Sequence, residues 1–469
     1  MDERVQAAQA TGQEGHGEKP GHHPKAWRRA PGRKAGPAPD GTDYGTRLAS
    51  VVKHAFPEIN QWMDETPDPR VREMCTYSFR HIQWQAIATF LLRNGSRNAF
   101  DADRNSGSMP ENLLRLGGEV WDEERLGARR TVTCSGNVVH HLARVSTDAF
   151  AVLPLRLTRR LTEMRLLDRG RLFGHWWLIA VDGTLMDRGR ESDDGPARYR
   201  YVVEAVLVGP SGLRIPLMSE FADMRDPVRD KEDCELNAFL RITQRLKREF
   251  PRLPVCLLLD GLYPVKAVFN RCREYQWKFI ATLREGRQPT AWDEAVQTMM
   301  MSPANVRFCR RRGEHGEVEQ TMRWSDRVPF GEHAFQVIFL GEVGPKAATL
   351  WAWTTNLLVT PERVEKIVND GGRARQEVET LFNVEKNGGF GLEHAFCANT
   401  TAAHNLHVFM QVAYVLGQLL VNGMLRRLTR ACRKVSDVKL IEMLRSSLAF
   451  VPIPPDIPPV GQLRFQNSS

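Results

Sequence analysis

Three acidic residues, far apart in the sequence, have the types and surroundings needed to share a metal ion. Asp182 follows the apolar run 175–181, and Asp260 follows the apolar run 255–259. Runs without polar alternation are typical of central strands covered on both faces, and an Asp that ends such a strand reaches the rim where α/β folds place chemistry. Glu379 lies in a segment with the pattern of a helix. The three carboxylates therefore predict an all-oxygen site suited to Mg²⁺.

Each of these acids also has an ordinary interpretation. Asp182 and Asp260 both precede a glycine, so each is also typical of a turn at the end of a strand. Glu379 has the alternative of a solvated helix residue, and Glu377 and Glu385 are neighbours with the same chemistry. Glu377 lies about 160° around the helix from Glu379 at ~3.6 residues per turn, so both cannot face one metal.

Composition restricts the class of protein. Lys and Arg total 65 against 56 for Asp and Glu, which gives a net charge of +9 and a pI near 9.2 and favours a polyanionic partner. The eight cysteines form no CxxC pair, which argues against a zinc ribbon and for reduced thiols in the cytoplasm.

The first 40 residues lack the apolar stretch of a signal peptide. The most apolar segment, 408–425, carries three amides, so we expect a core helix and not a membrane span.

The order of the predicted elements indicates an α/β fold. From residue 171 the pattern is a strand, a hairpin with a Gly-Pro-Ser-Gly turn, a helix and a strand, which is the order of a ribonuclease-H-like core. A strand-rich insertion interrupts this core before a helical pattern resumes. We expect a disordered basic tail (1–44) and a helical DNA-binding domain (45–168) before the core. The first part of the core (171–287) is followed by a β-rich insertion (288–360), the second part of the core with C-terminal helices (361–450) and a Pro-rich tail (451–469). The basic tail is either a solvated segment or a non-specific DNA-contacting arm.

These features resemble the DDE transposases of bacterial insertion sequences, in particular the group with a β-strand insertion between the second Asp and the Glu. That group carries a signature of Tyr, two residues, Arg, three residues, Glu, six residues and Lys. Arg375, Glu379 and Lys386 fit this spacing, whereas Gly372 stands at the Tyr position. Further segments that resemble this group are 231–235, 260–263, 387–390 and 392–394. The resemblance extends over roughly 170–425.

The resemblance implies a DNA transposase that binds the terminal inverted repeats of its element, cleaves the ends and joins them to target DNA. Two Mg²⁺ or Mn²⁺ ions per active site would stabilise the attacking and leaving oxygens, with Asp182 bridging them and Asp260 and Glu379 each holding one. We expect a homodimer in a synaptic complex, in the cytoplasm with the nucleoid. The alternatives are a stand-alone metal-dependent nuclease and a DNA-binding relic that is inactive because Gly372 replaces Tyr.

Basic and aromatic residues supply the predicted DNA contacts. Arg375 and Lys386 lie one and two turns from Glu379 on its face, where they would hold phosphates; ordinary surface charge is the alternative. In the insertion, Arg323 and Trp324 would grip a backbone and stack on an unpaired base, with core packing as the alternative for Trp324.

Two further assignments depend on local context. Asp233 and Glu235 begin a helix, where acids complement the helix dipole, so we assign them a capping role in preference to a catalytic one. We assign recognition of the specific DNA ends to residues 45–168 by elimination, since the core from residue 171 onward is occupied by catalysis. A helical domain can place a helix in the major groove of DNA.

Overall fold

The computed structural model describes residues 43–127, 130–190, 197–209, 212–224, 231–313, 316–345, 347–426, 435–460 and 463. Within these ranges the chain has a mixed α/β fold with one nine-stranded sheet, in the order β3-β2-β1-β4-β5-β9-β8-β7-β6. The strands are Trp177–Arg190 (β1), Ala197–Val208 (β2), Arg214–Met224 (β3), Val255–Leu259 (β4), Lys278–Thr282 (β5), Val306–Gly313 (β6), Gly316–Phe330 (β7), His333–Val343 (β8) and Ala348–Thr355 (β9). The expected α/β fold is confirmed.

The centre of the sheet consists of strands buried on both faces. β1 is parallel to β4 and β4 is parallel to β5, whereas the other neighbouring pairs are antiparallel. The five residues of β4 are each at most 1% exposed. Burial of an aliphatic side chain of this size stabilises a fold by about 1.5–3 kcal/mol, which explains why this apolar run occupies a central strand.

The first strand is longer than the sequence pattern indicates. Asp182 is expected to end its strand, but β1 continues to Arg190, so this prediction is wrong; β2 supplies a pairing partner along the whole extension. Parallel pairing between β1 and β4 ends at Ala180↔Leu258. Asp182 therefore lies just beyond the point where the two parallel strands separate, and Asp260 follows the last residue of β4.

Helices cover the sheet and form the described chain before β1. The helices before β1 are Tyr44–Ala55 (α1), Ile59–Asp64 (α2), Phe79–Leu91 (α3), Arg97–Asp103 (α4), Met109–Leu116 (α5), Glu123–Leu126 (α6), Ser135–Leu142 (α7) and Thr147–Glu163 (α8). The later ones are Lys231–Glu249 (α9), Lys266–Tyr275 (α10), Pro289–Met301 (α11), Gln376–Asn387 (α12), Thr400–Gln418 (α13) and Asp437–Phe450 (α14). Several begin at a polar cap: Ser78 accepts a hydrogen bond from the His81 N–H at 3.0 Å at the start of α3.

A short irregular helical segment leads into α12. It consists of one α-helical turn at Val364–Lys366, a π-helical turn at Ile367–Gly371 and a 3₁₀ turn at Gly372–Arg375. The sequence predicts continuous helix from residue 361 to residue 386, so the helical character is confirmed but its regularity is not.

The helices before β1 share their core with the C-terminal helices. Nδ2 of Asn405 in α13 donates to the carbonyl oxygen of Leu142 at 2.8 Å, and Nδ2 of Asn112 in α5 donates to that of Leu448 at 2.7 Å. One hydrophobic cluster extends from α1 to Leu463. The predicted N-terminal helical domain and the predicted C-terminal helices are thus packed as one unit.

The most apolar helix is buried inside this shared core. It runs over Thr400–Leu425, where α13 continues in π-helical turns from Leu419, and its length would allow it to span a membrane. However, 94% of its most apolar stretch is buried by the rest of the protein. This burial agrees with the expected core helix.

The predicted β-rich insertion extends the same sheet. Its strands β6–β9 are joined to the rest because β9 pairs with β5. α11 precedes these strands and is not expected from the sequence pattern. Residues 1–42 of the basic tail and 461, 462 and 464–469 of the Pro-rich tail lie outside the described residues, as do the side chains of 231–234.

Candidate functional site

Asp182 lies on β1 directly opposite Glu204 of β2, so both side chains project from the same face of the sheet. Oδ1 of Asp182 accepts a hydrogen bond from the backbone N–H of Gly183 at 3.0 Å. Its Oδ2 accepts one from Nη1 of Arg375 at 3.2 Å, although the two residues are 193 positions apart in the sequence. Arg375 immediately precedes α12, which packs on β1. Tertiary packing therefore brings the predicted strand and the predicted helix together at this carboxylate.

Burial makes Asp182 a weak acid. Its side chain is 16% exposed. Burial raises the pKa of Asp182 from 3.8 to about 7; the positive charge of Arg375 opposes this rise, and the charges of Asp260 and Glu235 add to it. A buried carboxyl that is repelled by two other acids is stabilised in its charged form by a cation. The electrostatics thus favour binding of a cation at this point of the sheet.

Asp260 forms the turn that follows β4. Its Oδ1 accepts a hydrogen bond from the backbone N–H of Leu262 at 2.8 Å, which is the pattern of an Asx turn. The turn interpretation of Asp260 is therefore correct. Its charge also raises the pKa of Asp182, so the same residue acts electrostatically on the site.

Arg375 connects Asp182 with Glu379. While Nη1 contacts Asp182, Nη2 forms a close ion pair with Oε1 of Glu379, one turn into α12. The guanidinium is well covered, since the Arg375 side chain is 12% exposed, whereas that of Glu379 is 54% exposed. One cation thus holds a carboxylate from a central strand and another from a helix.

The acids fit a hard divalent cation by their chemistry. Asp182, Asp260 and Glu379 offer only carboxylate oxygens, which Mg²⁺ and Mn²⁺ prefer. In the described part of the chain, no group of three His, Cys, Asp or Glu side chains is gathered closely enough to hold a metal ion. Arg375 supplies the positive charge between two of the three acids. By their chemistry these three acids are the residues that would hold a metal, and Arg375 is the cation that pairs with two of them here.

No protein-family model matches the chain, and no curated protein matches it. The inference of function therefore depends on the residues and their geometry.

The other acids of α12 have different surroundings. Glu377 accepts a hydrogen bond from Nε of Arg214 at 2.7 Å. Glu385 is fully buried, and burial together with the nearby charge of Glu204 raises the pKa of Glu385 well above its usual value. Of these three glutamates, Glu379 is the one that shares a cation with the strand β1.

Lys386 lies in the last turn of α12 and is partly exposed. Its Nζ lies 2.9 Å from Oε1 of Glu393, and its side chain is 26% exposed. This ion pair ties the end of the helix to the following loop. Because an ammonium group has three donors, a phosphate can bind Lys386 beside Glu393 or in its place.

Arg323 and Trp324 lie on opposite faces of the sheet, because successive residues of a strand alternate. Arg323 is exposed, but Trp324 is 2% exposed and belongs to the hydrophobic core, where it is paired with Ile338. The prediction that Trp324 stacks on a base is wrong in this structure, and its alternative, core packing, is observed. Phe308 on β6 is 66% exposed.

Gly372, which stands at the Tyr position of the signature, packs directly against the indole of Trp353. A Cβ atom on Gly372 would lie 2.8 Å from Cε2 of Trp353, whose side chain is 3% exposed. The indole of Trp353 on β9 therefore occupies the space that a larger residue at 372 would need. The glycine in place of the Tyr of the signature thus goes with a large side chain, Trp353, on β9.

Glu235 lies inside the protein beside the site, where its carboxylate accepts from tyrosine hydroxyls, and not in the predicted capping role. It is 5% exposed and accepts hydrogen bonds from the hydroxyl of Tyr201 at 2.8 Å and from that of Tyr263 at 3.0 Å. Its charge contributes to the raised pKa of Asp182. The prediction for its neighbour Asp233 concerns a side chain outside the described residues.

A signal for Glu235 is present in the sequence. The buried residues of α9 include Ala238, Phe239 and Ile242, which are three, four and seven positions after Glu235. These spacings place the carboxylate on the apolar face of the helix. An acid in line with an apolar stripe indicates a buried, partnered carboxylate more strongly than a cap.

Proposed function

We propose that this chain is a DNA transposase in which Asp182, Asp260 and Glu379 carry metal-dependent cleavage and joining of DNA ends. One observation carries the proposal. A single guanidinium, that of Arg375, joins an acid of the central strand β1 to an acid of α12, and the acid after the parallel neighbour β4 acts electrostatically on the first. Acids from two adjacent parallel strands and one helix are what an acid-triad phosphoryl transferase requires.

The strand order supports a ribonuclease-H-like core. In the portion β3-β2-β1-β4-β5, β2 is antiparallel to both of its neighbours, whereas β1, β4 and β5 are parallel. Along the chain these strands follow the expected order of a strand, a hairpin, a helix and a strand. In this proposal α11 and β6–β9 form the insertion between the second Asp and the Glu. The acids stand where parallel strands separate, which is the usual place for chemistry in such sheets.

The proposed chemistry is in-line displacement at a phosphodiester. Mg²⁺ or Mn²⁺, two per site, would activate the attacking oxygen and stabilise the leaving one. Asp182, Asp260 and Glu379 would hold these ions through their carboxylate oxygens. The burial of Asp182 excludes water from one side of the site, which strengthens each electrostatic contact there.

The surrounding cations would hold the DNA backbone. Arg375 exchanges its carboxylate partners for a phosphate oxygen when DNA is bound, and Lys386 binds a phosphate beside Glu393 or in its place. Arg323, exposed on the sheet extension, adds a further backbone contact. The proposed partners are the terminal inverted repeats and target DNA, held by a homodimer in the cytoplasm.

The test uses full-length protein and a plasmid that carries the gene with its flanking DNA. Nicking at the flanks and strand transfer into a second plasmid are measured with Mg²⁺ and with EDTA. We expect Mg²⁺-dependent activity that falls by more than about 100-fold in Asp182→Asn, Asp260→Asn and Glu379→Gln, without additivity among them. Glu377→Gln, the same change on the same helix, is the matched control and should retain activity.

The outcomes separate the alternatives. Nicking without strand transfer indicates a stand-alone nuclease, and binding without metal-dependent nicking indicates an inactive DNA-binding protein. Cleavage that persists in EDTA contradicts the metal-dependent mechanism. Activity within tenfold of wild type in any one carboxylate variant removes that residue from the site.

A further inference from the structure

Two buried tyrosines hold the carboxylate of Glu235 from both sides. The hydroxyl of Tyr201 donates to Oε2 at 2.8 Å, and the hydroxyl of Tyr263 donates to Oε1 at 3.0 Å. Tyr201 is 4% exposed and Tyr263 is fully buried. Each carboxylate oxygen therefore accepts a hydrogen bond from a buried hydroxyl, which fixes the orientation of the carboxylate, unlike that of an acid on the surface.

Each tyrosine lies close to one of the two aspartates: Tyr201 on β2, the strand that pairs with the Asp182 strand β1, and Tyr263 in the turn that Asp260 begins. Tyr201 lies across Gly183, the residue after Asp182, because a Cβ atom at 183 would be 2.3 Å from the Tyr201 hydroxyl. Tyr263 lies in the turn of Asp260, and its backbone N–H donates to the Asp260 carbonyl at 3.3 Å. Glu235 thus links β2, the pairing partner of the Asp182 strand, to the Asp260 turn.

We propose that Glu235 is a positioning residue, which sets the spacing of Asp182 and Asp260 and adds the negative charge that draws a divalent cation between them. This inference rests on the proposed metal-dependent function of the same site. Glu235 is not itself assigned as a metal ligand, because its oxygens accept from the two tyrosines.

A purely structural role does not explain a carboxylate at this position. Glu235 is 5% exposed, and each of its oxygens accepts a hydrogen bond from a tyrosine that lies beside one of the two aspartates. An apolar side chain on this face of α9 would fill the same space without burying a polar group. A buried acid held by neighbours of both proposed metal ligands is typical of a residue that orients metal ligands from behind.

The test is the affinity of the full-length protein for Mn²⁺, measured by calorimetry without DNA. We expect Glu235→Gln, which removes the charge but keeps the shape, to weaken Mn²⁺ binding by about 10–100-fold. Glu235→Asp keeps the charge and should recover part of the affinity. Glu377→Gln is the matched control, since that glutamate is turned to Arg214, and its Mn²⁺ affinity should equal that of the wild type.

Tyr201→Phe and Tyr263→Phe test the same inference without removing the buried charge. Each removes one hydroxyl and should weaken Mn²⁺ binding less than Glu235→Gln does. In the Glu235→Gln background each should add little further effect, because the three residues act as one unit. These variants keep the inference testable if circular dichroism shows that Glu235→Gln does not fold.

Asp182→Asn separates the two proposals. If the wild type binds no Mn²⁺, or if Asp182→Asn binds it equally well, the proposed metal site fails and this inference fails with it. If binding depends on Asp182 but folded Glu235→Gln and both Tyr→Phe variants bind Mn²⁺ at wild-type strength, only the role of Glu235 is overturned.

Discussion

The acid at the centre of the site should destabilise the metal-free protein, and its removal should reverse the effect. The pKa of Asp182 rises from 3.8 to about 7 on folding, chiefly through burial. This difference of about three pKa units corresponds to about 4 kcal/mol at ~1.4 kcal/mol per unit. Between pH 4 and pH 7 the folded protein holds a proton that the unfolded chain has released, so stability falls as the pH rises through this window.

Asp182→Asn keeps the shape of the side chain but cannot ionise. As the pH rises from 4 to 8, the unfolding free energy of Asp182→Asn should therefore increase by about 4 kcal/mol relative to that of the wild type. The attraction of Arg375 for ionised Asp182 is already part of this figure, because it opposes the rise in the pKa of Asp182. The same substitution should abolish cleavage, so stability and activity should change in opposite directions.

The measurement is urea unfolding in EDTA across this pH range for wild type, Asp182→Asn and Glu379→Gln. Glu379→Gln is the control, because its exposed side chain should change stability by less than about 0.5 kcal/mol at any pH. Mn²⁺ at about 100 times its Kd should stabilise the wild type by about 2.7 kcal/mol and Asp182→Asn by much less. Parallel stability curves for wild type and Asp182→Asn would refute the reasoning.

Three further predictions concern the surroundings of the site. Burial raises the pKa of Glu385, so the wild type loses stability as the pH rises above 4.5, and Glu385→Gln should gain about 1–3 kcal/mol relative to it at pH 8; equal pH slopes in urea unfolding would contradict this. Gly372→Ala should lower stability by about 1–3 kcal/mol, and its penalty should shrink in a Trp353→Ala background, which a double-mutant cycle measures. Arg375→Ala and Lys386→Ala should each weaken binding to cognate and random DNA alike and reduce the slope of log affinity against log salt by about 1, with Lys386→Arg milder; anisotropy titrations that match wild type across a salt series would exclude phosphate contacts.

The sequence alone determines the elements whose signals are local. The run 255–259 is apolar throughout, so it forms a buried strand wherever it packs, and Asp260 next to a glycine forms the turn that follows. The spacing of Arg375 and Glu379 predicts that they share a helix face, and the structure shows them paired. These features depend on residues within a few positions of one another, so the local sequence pattern is sufficient to predict them.

Only the tertiary structure decides how distant segments meet. The alternation of β7 sends Arg323 outward and Trp324 into the core, and the choice of face depends on what packs against the sheet. Asp182 becomes a weak acid because helices bury it and other acids approach it from separate parts of the chain. Glu235 meets its two tyrosines 34 and 28 positions away for the same reason. Burial and charge at a site are sums over neighbours, and a linear sequence does not specify which neighbours those are.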